Sequence, residues 1–395
     1  MTSPVVAFNP FDPSFLENPF PFYELGRRHR PFMFNEMAQT WLAFKYDDVQ
    51  AILKDNGTWS SSNPNRPADA PEQPILFSDP PRHTRLRGLV SQAFTPRMVD
   101  QLEPRLRELA EELLDPVAPT GRADIIDALA YPLPVIVIAE ILGVPSEDRA
   151  NFKRWSDDVV RQLGQGVGPQ GQSAPPQQTF EEMRDYFSNM AEERRKMPRN
   201  DLLSALVVAE LEGSKLSSDE LIQMLILLLV AGNETTTNLI GNAIQEFIAH
   251  PGQLQLLFDE PGLIPSAVEE VLRYSSPVQV TVRHATKDTV MRGQSVSQGQ
   301  TVMTWLGSAN RDEDVFEHSA EFDIHRPLLP RHLAFGMGPH FCLGAPLARL
   351  EAQVALEAFL RRCRKFQRDG DDTLPRVETF VMRGVRKLPI TFTPE

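Results

Sequence analysis

The pattern of apolar and polar positions predicts a mostly helical chain with short strands near its two ends. Segments with helical period or helical boundaries are 46–56, 81–93, 96–114 and 146–163. Strands are indicated at 40–45 and 280–285. The stretch 59–79 is crowded with Ser, Asn, Pro and Ala, which favours irregular structure. An apolar segment, 124–142, ends at Gly143.

One predicted helix, 217–250, is much longer than the others. Ser217 and Glu220 have the spacing of a capping box, and the apolar run that follows indicates burial on every face. Its middle nevertheless reads Ala-Gly-Asn-Glu-Thr-Thr-Thr-Asn, which is costly in a core. Such a break of local rules is where function is expected. One alternative is structural, with the threonines donating back to the preceding turn.

Cys342 lies in the run Phe-Gly-Met-Gly-Pro-His-Phe-Cys-Leu-Gly, and a helix with Pro346 near its start follows directly. The glycines allow sharp turns and close approach of the backbone to a flat ligand. We expect the sulfur to face the helix N-terminus, whose partial charge favours thiolate over thiol. The alternative is a buried structural cysteine in a glycine-rich turn.

Composition narrows the class of partner and compartment. The 395 residues carry a net charge of -13, which argues against nucleic acid and anionic membrane surfaces. The two cysteines, Cys342 and Cys363, cannot supply a disulfide framework or a thiolate zinc site, and a reducing cytoplasm is expected. The longest apolar run, 224–231, is too short to span a bilayer, so we expect no membrane partner.

The run around Cys342 matches at every fixed position the pattern Phe-Gly-x-Gly-x-His-x-Cys-x-Gly that carries the haem ligand of bacterial cytochromes P-450, and the chain resembles that family over nearly its whole length. The resemblance implies the cytochrome P-450 fold, mainly α with a small β-rich region, as one domain over 1–395. It also implies haem b, dioxygen as co-substrate, Cys342 as iron ligand, and Glu234 with Thr235 as the acid and alcohol that deliver protons.

By the same resemblance, several residues are expected to support the haem. Contacts to the two propionates are expected from basic side chains, namely His83, Arg87, Arg283 and His340. A buried ionic network that fixes the cysteine loop is expected from Glu270, Arg273 and Arg326.

The resemblance also places a substrate pocket and a lid. The expected pocket walls, mostly apolar and so suited to a lipophilic substrate, are Ile75, Leu76, Leu227, Val230, Ala231, Val278, Gln279, Thr281, Phe380 and Val381. The stretch 164–178 consists mostly of Gly, Gln, Pro, Ser and Ala and is expected to be a flexible lid loop, with a passive surface loop as the alternative.

The implied activity is that of a haem-thiolate monooxygenase that hydroxylates a C–H bond of a fatty acid, terpenoid, steroid or polyketide-like molecule. Electrons are expected from a separate ferredoxin with its NAD(P)H-dependent reductase, and the chain is expected to be a monomer. An acidic ferredoxin would dock on a basic cluster formed by Arg349, Arg361, Arg362, Arg364 and Lys365. A peroxide-driven peroxygenase and a non-catalytic haem sensor or carrier remain alternatives.

Overall fold

The computed structural model describes residues 9–394 apart from 11, 65–72, 149, 153, 156–157, 160–176, 212–215 and 328–330. The lid prediction at 164–178 lies outside the described residues except for its last two positions, which open a helix. The helices with described bounds, α1 to α13 in chain order, are Pro13–Glu17, Phe20–His29, Tyr46–Lys54, Arg82–Ala93, Pro96–Leu114, Pro132–Leu142, Gln177–Lys196, Leu202–Leu211, Ser218–Ala249, Pro251–Asp259, Ile264–Tyr274, Leu306–Ala309 and Ala345–Arg362.

In the described part of the chain, ten short strands form three small sheets. In chain order, β1 to β10 are Phe32–Asn35, Thr40–Ala43, Trp59–Ser60, Arg122–Asp124, Thr281–Ala285, Thr289–Met291, Gln294–Val296, Thr301–Thr304, Cys363–Arg368 and Pro389–Pro394. The main sheet has the order β1-β2-β8-β5-β3, in which only β2 and β8 run parallel. The other sheets are β4-β10-β9 and the hairpin β6-β7. The predicted class, mainly α with a small β-rich region, is confirmed.

Most element boundaries predicted from the sequence agree with the structure, but some breaks within the predicted segments were not predicted. Helix α5 has the predicted bounds, while the predicted strand 40–45 ends earlier, at Ala43. The stretch 59–79 is not wholly irregular, because it begins with β3 and contains a turn of 3-10 helix at Ile75–Phe77. The apolar segment 124–142 is divided by a π-helical turn at Ile126–Ala130 before α6 begins.

Helix α9 is the long helix, and its 32 residues run through the core. Ser217 accepts from the Glu220 backbone and Glu220 accepts from the Ser217 backbone, so the predicted capping box is formed. By length and composition this helix could cross a bilayer, contrary to the expectation that no segment could. Leu221, Leu225 and Leu229 are fully buried in the main core cluster, so much of its apolar surface is covered by protein.

Helix α13 follows the cysteine loop and packs against α5, α9 and α11. Near the start of α13, Arg349 donates to Glu269 on α11 and Glu351 accepts from Thr236 on α9. Strand β5 carries Arg283, whose side chain is buried. This arrangement brings four distant parts of the chain toward Cys342.

Candidate active site

The loop around Cys342 is held by tight glycine turns and a backbone hydrogen bond. Gly336 and Gly338 have φ of 69° and 71°, which only glycine adopts without strain. A Cβ at Gly338 would lie 2.4 Å from the Leu53 carbonyl oxygen, so the loop also needs glycine there for space. The Cys342 backbone N–H donates to the Phe335 oxygen at 2.9 Å and closes the loop.

The Cys342 sulfur faces the start of α13, as the sequence predicted. The backbone N–H groups of Gly344 and Ala345 donate to it, and together with the charges of Arg87 and Arg349 they lower the pKa of the thiol. Burial acts in the opposite direction and is stronger, so the pKa of Cys342 is raised overall. The helix terminus thus favours the thiolate, as the sequence predicted, while burial outweighs its effect. A metal ion bonded to the sulfur would supply the missing positive charge.

Two arginines near the loop have no anionic partner among the described residues. Among the described residues, Arg283 donates only to the Val282 carbonyl; burial lowers its pKa to about 10, and the charge of the more distant Asp79 acts in the opposite direction. Burial also lowers the pKa of Arg87, which feels the Cys342 charge. Neither side chain lies within ion-pair distance of a carboxylate in the described part of the chain. Buried cations without counter-ions are costly, so this site suits an anionic ligand.

His83 and His340 lie beside these arginines, with ring centroids 4.1 Å apart. Burial, then the charges of His83 and Arg283, lower the pKa of His340 to about 4. The Nε2 atom of His340 is buried without a hydrogen-bond partner among the described residues. These four donors fit the two propionates of a haem whose iron would bond to Cys342.

The polar segment of α9, 231–238, has open space beside Gly232 and two polar side chains, Glu234 and Thr235. Ala231 is exposed, and no atom lies within 4 Å of where a Cβ at Gly232 would be. The Thr235 hydroxyl donates to the Ala231 carbonyl at 2.8 Å, which is the back-bond that the sequence offered as the alternative. Glu234 accepts from the Asn238 amide at 3.4 Å. The proton-delivery role of Glu234 and Thr235 therefore stays a prediction.

The predicted network of Glu270, Arg273 and Arg326 is present in the structure. Arg273 donates to both oxygens of Glu270 at 2.7 and 2.8 Å, and Arg326 donates to the same carboxylate at 3.2 Å. The remaining donors of both arginines bind backbone oxygens within 310–321. The network thus fixes this preceding segment, and its link to the cysteine loop runs through Asn310, whose side chain accepts from the Leu333 N–H at 2.6 Å.

The expected pocket residues differ in how far their side chains are exposed. Leu76 is 49% exposed, and the half-buried members are Ile75, Leu227, Val278, Thr281 and Val381. Val230 is buried beside the exposed Ala231 on α9. Phe77, 48% exposed in the same turn as Leu76, is a further apolar candidate that its neighbours could have indicated.

Gln279 and Phe380 are corrections to the expected pocket. The Gln279 side chain accepts from the Tyr23 hydroxyl at 2.8 Å and donates to the Ser276 carbonyl at 2.5 Å. Phe380 packs near Trp305 in an aromatic core cluster, with ring centroids 5.9 Å apart. Both side chains are buried, because the N-terminal helix α2 packs over them through Tyr23.

Glu351 is a buried acid that the sequence reasoning missed. It lies on α13, is 2% exposed, and accepts from the Thr236 hydroxyl on α9. Burial raises its pKa to about 8. The available signal was an acidic residue spaced four from Leu347 and from Ala355, both on a buried helix face.

The expected ferredoxin-docking cations are largely paired with acids. Arg361 and Arg362 donate to Glu111, and Arg362 also donates to Asp115 at 2.6 Å. Arg349 is bound to Glu269, whereas the Arg364 guanidinium lies 4.9 Å from the centroid of the Phe258 ring. The cluster is therefore less positive than the sequence suggested.

Known proteins resemble this chain in sequence and in structure over nearly its whole length. A family profile described as Cytochrome P450 matches residues 22–260 and 262–392. "Cytochrome P450 109" of Bacillus spizizenii is 42% identical over 380 residues, 95% of this chain and 92% of that protein. The structure of cytochrome P450 CYP109Q5 from Chondromyces apiculatus matches with a TM-score of 0.89 at 40% identity, covering 98% of each chain. CYP109E1 from Bacillus megaterium, solved in complex with testosterone, matches with a TM-score of 0.87 at 38% identity, covering 96% of this chain and 98% of that one.

Proposed function

The chain belongs to the cytochrome P450 family, and on that premise we propose that it hydroxylates a C–H bond of a lipophilic small molecule, with Cys342 as the iron ligand of haem b. Family membership itself makes it a cytochrome P450 monooxygenase that uses haem and dioxygen. The bound haem supplies the activation of dioxygen with two electrons.

One observation carries the proposal: buried and half-buried donors with no ion-paired carboxylate in the described chain lie beside a cysteine loop at a helix N-terminus. Arg87 and Arg283 lack carboxylate partners in the described chain, and His340 Nε2 lacks any partner there. Two propionates would satisfy these groups in an environment where leaving them unpaired costs several kcal/mol. We assign His83 to the same set because its ring contacts that of His340.

The protein's own residues have three tasks in this proposal. The loop holds the Cys342 sulfur in one place, since its glycine turns and its bond to Phe335 leave little freedom. Glu234 and Thr235 hold and pass protons on α9, beside the gap at Gly232. The apolar side chains of the pocket exclude water from the reacting C–H bond.

A steroid is the substrate class we propose to test first. The pocket candidates Leu76, Phe77, Leu227 and Val381 are apolar, which favours a ligand with few polar groups. CYP109E1 was crystallised with testosterone and, in another structure, with corticosterone. The identity of 37–38% to that protein supports the class and not a particular site of oxidation.

We further propose that a separate ferredoxin and its NAD(P)H-dependent reductase deliver the electrons and that the enzyme works as a monomer in the cytoplasm. The net charge of -13 and the partly compensated cations of α13 favour a weak, transient electron-donor contact.

The test is turnover of testosterone under three conditions with the haem-loaded enzyme. The proposal expects hydroxylated product with NADPH, ferredoxin and ferredoxin reductase, and little with peroxide alone. Product with peroxide alone would indicate the peroxygenase alternative. Stable haem loading with no product from testosterone, a fatty acid or a macrolide would indicate the sensor or carrier alternative.

A further inference from the structure

One carboxylate, Glu269, holds both flanks of the cysteine loop, 333–344. It lies on α11 next to Glu270. Arg349 in α13 donates through Nε and Nη2 to its two oxygens at 2.5 and 3.0 Å. His332, just before the loop, has Nε2 at 3.2 Å from Oε2 of the same carboxylate. We call Glu269, His332 and Arg349 the Glu269 clamp.

The hydrogen bonds of His332 define its tautomer. The Ala334 backbone N–H donates to Nδ1 at 3.2 Å, so Nδ1 acts as an acceptor and carries no proton. Nε2 must then carry the proton and donate it to Glu269. The imidazole thus joins the carboxylate to the backbone at the start of the loop and leaves little freedom there.

Arg349 connects the clamp to the residue that closes the loop. Its guanidinium lies 4.5 Å from the centroid of the Phe335 ring, and the Phe335 carbonyl accepts from the Cys342 N–H at 2.9 Å. The Arg349 charge also acts on the Cys342 sulfur. Although burial opposes it, the hydrogen bonds from His332 and Arg349 and the Arg349 charge lower the pKa of Glu269, so the carboxylate is charged.

We propose that Glu269 is a positioning residue of the haem-thiolate site, which fixes the place of the Cys342 sulfur and offsets the charge of Arg349 that this sulfur feels. The neighbouring Glu270 network reaches the loop only indirectly, because Arg273 donates to the Asn310 carbonyl and the Asn310 side chain accepts from the Leu333 N–H. The inference rests on the proposed function, since it takes Cys342 as the iron ligand.

The first experiment measures the reduction potential of the haem-loaded full chain and of Glu269→Gln. Glutamine keeps the size of the side chain but leaves the Arg349 charge uncompensated. We expect the one-electron equilibrium to move toward the ferrous form by about threefold to tenfold, where tenfold corresponds to 59 mV. We also expect haem to dissociate faster, because the loop is held less firmly, while the carbonyl adduct keeps the band of a thiolate ligand, since the Arg349 charge disfavours protonation of the sulfur.

Glu111→Gln is the matched control. Glu111 accepts from two arginines at the far end of the same helix, and its exposure of 30% is close to the 23% of Glu269. It has no contact with the loop among those described. We expect its potential and rate of haem loss to match those of the unaltered enzyme.

Two further variants separate charge from packing. In Glu269→Gln/Arg349→Leu the net charge of the pair is again zero, so the potential should return to within about twofold of the unaltered enzyme. Haem should still dissociate faster, since the clamp is lost. Arg349→Lys keeps the charge but not the paired donors, and it should lose haem faster with little change of potential.

The proposal is overturned if Glu269→Gln leaves the potential and the rate of haem loss unchanged, or if Glu111→Gln shifts them equally. A double variant whose potential stays shifted would show that the effect is structural and not electrostatic. If Glu269→Gln does not load haem, an unchanged rate of haem loss in Arg349→Lys would overturn the clamp. Absence of a thiolate spectrum in the unaltered enzyme would instead overturn the proposed function.

Discussion

At the scale of single residues, the site is distinguished by arginine side chains that form no ion pair with a carboxylate among the described residues. Most arginines in the described chain meet acids, as Arg273 meets Glu270. Arg283 instead donates only to a backbone oxygen although it is buried. Such a residue reduces stability by itself and becomes favourable when an anion binds. Haem affinity and chain stability should therefore respond in opposite directions to its removal.

The first prediction concerns Arg283→Leu. We expect haem to leave this variant at least about tenfold faster, because one charge-assisted contact is lost. The thermal midpoint of the haem-free chain should not fall, since burial disfavours the Arg283 charge, as its pKa of about 10 indicates. Haem transfer to an excess of apomyoglobin measures the first effect and calorimetry the second. Arg292→Leu, which removes an arginine paired with Asp48, is the control and should leave haem loss unchanged.

A second prediction concerns Thr235. If its hydroxyl delivers protons, Thr235→Ala should release several times more peroxide per NADPH consumed, at the expense of product. Thr237→Ala removes a hydroxyl that lies 3.5 Å from the Asn233 side chain on the same helix and is the control. Equal coupling of NADPH to product in unaltered enzyme and Thr235→Ala would mean that the hydroxyl only bonds back to Ala231.

At the scale of elements, the contact of α9 with α13 encloses a carboxyl group. Glu351 accepts from Thr236 across this contact, and burial raises its pKa to about 8. The unfolded chain loses this proton near pH 4.5, so the folded state binds it more tightly. The stability that Glu351 contributes is therefore present below about pH 4.5 and is lost as pH rises toward 8.

The third prediction follows from that sign. Relative to Glu351→Gln, the unaltered chain should lose about 2–3 kcal/mol of folding stability between pH 6 and pH 9. Denaturant unfolding of both proteins across this pH range gives the difference directly. Glu357→Gln, on the same helix but paired with Arg107, is the control and should show no such trend. A difference that does not change with pH would mean that Glu351 is ionised in the fold.

Local signals sufficed for many elements and for the motif residues. Both ends of α5 and the capping box of α9 follow from Pro96, Ser217 and Glu220, because caps and prolines act on their own neighbours. The division of 124–142 coincides with Pro132 at the first position of α6, a local signal that the sequence prediction did not use. The burial of Gln279 has no local signature, because its partner Tyr23 lies 256 residues away in sequence.

At the scale of the whole molecule, acidic residues far from α13 in sequence form ion pairs with arginines of that helix and reduce its positive charge. The sequence analysis predicted that Arg361, Arg362 and Lys365 belong to a docking cluster. In the structure, Arg361 and Arg362 donate to Glu111 on α5, and Arg362 also donates to Asp115, which follows α5. Pairing across the fold could not be read from charges along one helix. With a net charge of -13, the molecule should attract an acidic ferredoxin only weakly.

The fourth prediction tests this compensation. Glu111→Gln should free Arg361 and leave Arg362 with Asp115. The added positive charge should raise the association rate with an acidic ferredoxin by about twofold to fivefold at low salt, with the gain lost at high salt. Stopped-flow reduction of the haem at several ionic strengths measures it. Glu103→Gln, which removes an exposed partner of Arg107 on the same helix, is the control. A lower rate in Glu111→Gln would show that the ion pairs are needed to shape the docking surface.

The central claim is that the Cys342 sulfur, as thiolate, bonds to the iron of a haem held by Arg87, Arg283 and the two histidines. The most direct measurement is the absorption spectrum of the ferrous carbonyl adduct of the haem-loaded chain, beside Cys342→Ser prepared in the same way. We predict the red-shifted band of thiolate ligation in the unaltered chain and its loss in the variant. A histidine-type band in the unaltered chain, or the same spectrum in both proteins, would contradict the account.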